Sequence, residues 1–206
     1  VPIGAFLLEH LYTNYKAVGP EGPEAFNQAV YDLQTNPAII YAEIGAIALP
    51  LLYHAFYGLF IAAKARINVA SQGYLRNWLF FLQRVTGVLV LGYVGIHVYK
   101  TRLMPVFDPE GLAEHCSGKM EGMVCFNYMH EYLSGEHLFG IPIVAVYVVG
   151  LLSAVFHFSN GLWSMGAKWG VTVGPRAQRT SGYVCAGIGV ALAAAGLRSL
   201  FAFASI

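Results

Sequence analysis

The sequence is short of charge. Of its 206 residues only 11% are Asp, Glu, Lys or Arg, where a soluble globular domain carries about 25%. The 12 basic and 11 acidic side chains leave a net charge of +1, which excludes both a basic nucleic-acid surface and an acidic tail. Cysteine is scarce as well. The three present form no CxxC pair, so neither a zinc ribbon nor a thioredoxin-like centre is encoded. Internal repeats and low-complexity tracts are absent. What the chain has in excess is apolar residues, 57% of the total, with a mean hydropathy of +0.56. It reads as a single all-α domain, 1–206, built as an integral membrane bundle.

Crossing about 30 Å of hydrocarbon takes roughly 20 apolar residues at 1.5 Å each. Residues 38–63, 78–99, 138–167 and 183–206 each supply that length. Residues 1–15 form a fifth, shorter segment without the basic start or small-residue cleavage site of a signal peptide. Because the chain opens on Val1 rather than Met, the expectation is the outer part of a spanning helix whose beginning precedes Val1. Five transmembrane helices follow. The connection after the second carries Lys64, Arg66 and Arg76, and that after the fourth carries Lys168, Arg176 and Arg179, neither with an acid. By the positive-inside rule these face the cytoplasm, so the N-terminus lies inside and the C-terminus outside.

The outer connections are 16–37 and an enlarged loop at 100–137, in which Pro105, Pro109, Gly111, Gly118 and Gly122 break regular structure. That loop is a candidate outer cap. Cys116 and Cys125 lie on the side where disulfides persist, which makes a bridge between them plausible. A metal site using them with His115 and His130 matches no standard zinc spacing.

Ionisable residues within a bilayer are costly and mark functional candidates. One histidine falls in each of four segments: His10, His54, His97 and His157. Counting from the helix ends puts His10 and His97 near the outer surface and His54 and His157 nearer the cytoplasm, the two levels about 13 Å apart. Two imidazoles at one depth are what a haem iron takes, one on each face of the macrocycle, so two pairs suit two b-type haems. Covalent attachment is not expected without a CxxCH segment. The plainer alternative for any one histidine is a hydrogen bond to a neighbouring helix. Gly58, Gly87, Gly92 and Gly95 leave room for a ring near backbone, or serve ordinary packing. Gly187, Gly189, Ala193 and Gly196 read as packing alone. Arg84 and Lys168 are candidate partners for haem propionates, with snorkelling to the surface as the alternative.

Several strings carry a resemblance: EHLYTN around His10, EAFN at 24–27, YHAFYGLFIA around His54, RNWLFFLQRVTG with GIHVYKTR around His97, and FHFSNGLWS with KWGVTVGPRAQR around His157. Together they resemble the single-polypeptide, dihaem cytochrome b membrane anchor of succinate:menaquinone oxidoreductases and related fumarate reductases, over nearly the whole chain. The resemblance implies His54 and His157 as ligands of the inner haem iron and His10 and His97 as ligands of the outer one. It implies a flavoprotein subunit with covalent FAD and an iron-sulfur subunit on the cytoplasmic face of a bacterial-type membrane. Electrons from succinate would then run through the clusters and both haems to a membrane quinone, with menaquinone expected, near the outer surface. Quinone reduction consumes protons, so an outward acid is needed; Asp32 and Glu43 are the candidates, with Glu9 and Tyr12 as further ones. The competing readings are the dihaem cytochrome of another quinone-linked dehydrogenase, such as hydrogenase or formate dehydrogenase, and a haem-free transporter.

Overall fold

The computed structural model describes residues 2–108, 110–111 and 124–205. Its architecture is helical. In chain order come α1 (Pro2–Tyr15), α2 (Gly22–Gln34), α3 (Ile39–Lys64), α4 (Leu75–Phe107), α5 (Phe126–Gly135), α6 (Ile143–Lys168) and α7 (Pro175–Ala204). Among the described residues α3, α4, α6 and α7 are long and apolar enough to cross a membrane. The fifth segment, α1, has 14 helical residues, about 21 Å of rise.

Helix boundaries depart from the hydropathy reading where local chemistry intervenes. α6 starts at Ile143 rather than 138 because 137–142 double back as a two-stranded turn. At its corner Phe139 and Gly140 take left-handed φ values of 51° and 81°. α7 starts at Pro175, ahead of its apolar run. Gly174 supplies a φ of 84° and Pro175 then sits in the first turn, where its missing N–H costs nothing. The outer connection 16–37 holds the amphipathic α2, whose buried Phe26 and Ala29 face the bundle.

The enlarged loop expected at 100–137 is corrected at both ends. α4 runs through Pro105 to Phe107, and α5 occupies much of the remainder. Proline does not end the helix because a wider π-helical turn, Tyr99–Leu103, precedes it; Glu43–Ala48 does the same ahead of Pro50 in α3. A proline ring clashes with the carbonyl four residues back, and a π turn shifts that carbonyl aside. His115 and Cys116 lie outside the described residues. Cys125 is disulfide-bonded, and His130 donates from Nδ1 to the Phe203 carbonyl at 2.8 Å, tying α5 to the end of α7. Among the described residues no three His, Cys, Asp or Glu side chains gather into a metal site.

Two kinds of packing hold the molecule. Where α2 and α5 cover the end of the bundle, Phe26, Phe126, Met129, Leu133, Ile143 and Phe203 form a deeply buried core. The Asn27 side-chain oxygen accepts the Phe126 backbone N–H there at 2.8 Å. Fully burying a side chain such as Phe126 or Leu133 is worth about 1.5–3 kcal/mol where the alternative is water. Along the spans no such force operates, and close approach of small residues takes its place. α6 packs chiefly on α7 and on α4. A Cβ at Gly150 of α6 would fall inside the Tyr93 ring of α4, and one at Gly196 of α7 would lie 2.9 Å from Leu151. Gly189 likewise meets Ser159, whereas Gly187 faces open space, so it has no packing role of the kind its spacing suggests.

Gly150→Ala is expected to lower stability by about 1–3 kcal/mol, the usual cost of overpacking, read as an earlier thermal midpoint in detergent. Gly187→Ala should leave the midpoint unchanged or raise it.

Candidate functional site

Four spanning or near-spanning helices bring their histidines together as two opposed pairs. His10 of α1 meets His97 of α4 with ring centroids 5.6 Å apart and planes at 79°. His54 of α3 meets His157 of α6 at 6.0 Å and 81°. The levels follow from two independent helices. On α4 the pair expected as the inner one, His54 with His157, lies beside Gly87, and the pair expected as the outer one contains His97; on α6 the latter lies beside Tyr147 and the former contains His157. Each interval is ten residues (97 − 87 and 157 − 147), about 15 Å of rise.

The inner pair is held through one nitrogen. His157 Nδ1 lies 3.1 Å from the Gln83 carbonyl oxygen, which can only accept, so Nδ1 carries the hydrogen and Nε2 keeps its lone pair. Gln83 is itself fixed. Its side-chain Nε2 donates to the His157 carbonyl at 3.0 Å, and its Oε1 accepts from Asn160 Nδ2 at 2.7 Å. Gly87 lets the ring come this close, since a Cβ there would lie 3.0 Å from His157 Cε1. Gly58, Gly92 and Gly95 instead border open space.

In the outer pair His97 Nδ1 lies 3.2 Å from the Tyr147 hydroxyl, and Tyr93 packs on the same imidazole at 5.8 Å. Phe6 stacks on His10 at 5.3 Å. Asn14 Nδ2 donates to the His10 carbonyl at 2.8 Å and lies a long 3.4 Å from His10 Nε2.

These residues fit a bis-imidazole metal macrocycle. Two metal–nitrogen bonds of about 2 Å each, added to the half-widths of the rings, set opposed imidazole centroids about 6 Å apart. Both pairs match that spacing. α3 also presents its faces openly, with no residue buried, so its His54 approaches α6 without tight helix contact around it.

The remaining sequence candidates are distributed unevenly. Arg84 is half-buried on α4, next in chain to the Gln83 that meets His157. Lys168, at the end of α6, places its Nζ 5.7 Å over Phe80, beside Arg76 stacked on Trp163. Asp32 is exposed on α2 and accepts from Gln28 Nε2 at 2.7 Å. Glu9 accepts from Thr13 at 2.7 Å. Glu43 occupies the π turn of α3 and pairs at 2.7 Å with Arg102 in the π turn of α4, both partly exposed. Gln83, Asn160 and Tyr147 are not singled out by the sequence reading, and Arg102 enters it only as one of the basic residues of 100–137. Uncharged polar residues inside apolar helices, as Gln83 and Asn160 are, carry a readable signal because they need partners there. Tyr147 carries none, being one of 13 tyrosines.

With this geometry in place, similarity to known proteins becomes informative. Residues 69–196 match the family described as succinate dehydrogenase/fumarate reductase transmembrane subunit. The chain is 44% identical over 203 residues to the succinate dehydrogenase cytochrome b558 subunit of Bacillus subtilis (strain 168), covering 98% of this chain and 91% of that protein. No solved structure matches. An alignment this long and this close, on a chain in which four of the described helices are long and apolar enough to cross a membrane, places the protein in the succinate dehydrogenase/fumarate reductase transmembrane subunit family.

Proposed function

We propose that the chain is the dihaem cytochrome b anchor of a succinate:quinone oxidoreductase, with His54 and His157 holding an inner haem b and His10 and His97 an outer one. The observation that carries this reading is the pair of opposed imidazole couples, at 5.6 and 6.0 Å, about 15 Å apart along the bundle. When bound, the two haems supply one-electron carriage between the two sides of the membrane. At the inner level the Gln83 carbonyl takes the Nδ1 hydrogen of His157, which leaves Nε2 free to ligate. Arg84 and Lys168 serve as cationic partners for propionates, Arg84 being nearer the level of His157 because it follows the Gln83 that meets that ring.

In this reading α1 is a fifth span, the N-terminus is cytoplasmic and the C-terminus outside. The two basic connections, 65–74 with its flanking Lys64 and Arg76 and 169–174 with Lys168 and Arg176, lie under the flavoprotein and iron-sulfur subunits. The quinone, menaquinone by family resemblance, is reduced near the outer level. Of the acids, Glu43 is the better placed, since it sits in a span beside the turn that follows His97, while Asp32 stands in solvent on α2. Glu43 is partly exposed in its pair with Arg102, so on leaving that partner its carboxylate would take a proton from the aqueous side and hand it to the quinone oxygen.

His54→Ala and His97→Ala are expected each to remove one b haem, a different one in each variant, as read by pyridine haemochrome and reduced-minus-oxidised spectra of the purified complex. Gly87→Val, which pushes on the His157 ring, should resemble His54→Ala; retention of both haems in the histidine variants would refute the assignment. Glu43→Gln should slow succinate-to-quinone turnover on the order of a hundredfold while succinate-to-dye activity persists. Equal loss of both activities would instead mean a damaged complex.

A further inference from the structure

The two ligand histidines that accept support through Nδ1 are supported by unlike groups. His157 faces a backbone carbonyl, which no substitution removes and which only accepts. His97 faces a phenol, the Tyr147 hydroxyl, at 3.2 Å. Tyr147 is among the most buried residues of the bundle, 4% exposed, and its ring is wedged edge-on between Tyr93 at 5.2 Å and Tyr132 at 5.8 Å. Tyr132 comes from α5, so the cap that covers this end of the bundle also helps to fix the hydroxyl that meets His97. The hydroxyl has little freedom to leave its position.

Resting on the reading of His97 as a haem ligand, we propose that Tyr147 is a positioning residue that orients the His97 imidazole and sets the potential of the outer haem apart from that of the inner. An imidazole that binds metal through Nε2 carries its hydrogen on Nδ1 and must donate it, so the phenol oxygen is the acceptor. An acceptor at that nitrogen raises the basicity of the ligand, which favours the oxidised, more positive iron. A phenol oxygen is a weaker acceptor than an amide carbonyl. The two ligands are therefore supported to different degrees, the outer by Tyr147 of α6 and the inner by the Gln83 carbonyl of α4.

The test is a redox titration of both haems in the whole complex, comparing Tyr147→Phe, Tyr183→Phe and His97→Ala with the parent. Tyr147→Phe keeps the ring packing and removes only the acceptor. It should raise the midpoint of the haem that His97→Ala removes, or loosen retention of that haem, and leave the other untouched. Tyr183→Phe removes an exposed hydroxyl of α7 and should move neither midpoint. Unchanged potentials and occupancy in Tyr147→Phe, or equal shifts of both haems, would overturn the proposal while leaving His97 a ligand. If His97→Ala retains both haems, the ligand assignment falls and the proposal with it.

Discussion

An imidazole that is to bind metal in a bilayer has to keep one nitrogen bare and give the hydrogen of the other to a partner, because an unsatisfied polar group there has no water to turn to. Much of the arrangement answers that demand. At the inner level the Gln83 carbonyl takes the hydrogen, the Gln83 side chain binds the His157 carbonyl, and Asn160 holds the Gln83 amide in turn, so three polar residues from two helices close on one another. At the outer level the Tyr147 hydroxyl lies 3.2 Å from His97 Nδ1, and the packing of Tyr93, Tyr147 and Tyr132 holds it there. The glycines follow as consequences: Gly87 admits the His157 ring, and Gly150 admits the Tyr93 ring that backs His97.

The same constraint divides the bundle into a tight half and an open half. α6 and α7, with α1 against them, carry the buried residues of the spans. α3 and α4 bury none within their apolar windows. α3 touches α1 and α4 only lightly and faces His157 through His54, and its outward faces expose Tyr53, Phe56 and Tyr57, as suits contact with lipid. The two π turns have a common origin in Pro50 and Pro105. By placing Glu43 opposite Arg102 they convert a local steric problem into a cross-helix ion pair between the start of α3 and the end of α4.

Much of this was legible beforehand, for identifiable reasons. Apolar length marked the four spans, and one histidine per helix at two depths specified which would meet, since rise per residue is fixed and depth can be counted. Helix ends were less legible where turn chemistry, not hydropathy, decides them, as at Phe139 and Gly140 ahead of α6 and at Gly174 and Pro175 ahead of α7. α2 and α5 were hidden because each is short and amphipathic and owes its stability to the core they build with Ile143 and Phe203. Pro105 misled because a proline normally ends a helix, and only the π turn before it shows why this one does not. Tyr147 could not be singled out at all: its role depends on lying ten residues before His157 on α6 and opposite His97, a relation between helices and not within one.

The account stands or falls on whether two opposed imidazole pairs hold two haems. The most direct measurement is the haem-to-chain ratio of the purified complex, by pyridine haemochrome against quantitative amino-acid analysis. Two b haems per chain is the predicted result. A ratio of one would mean that one of the imidazole pairs only packs, and a ratio of zero would contradict the central claim outright.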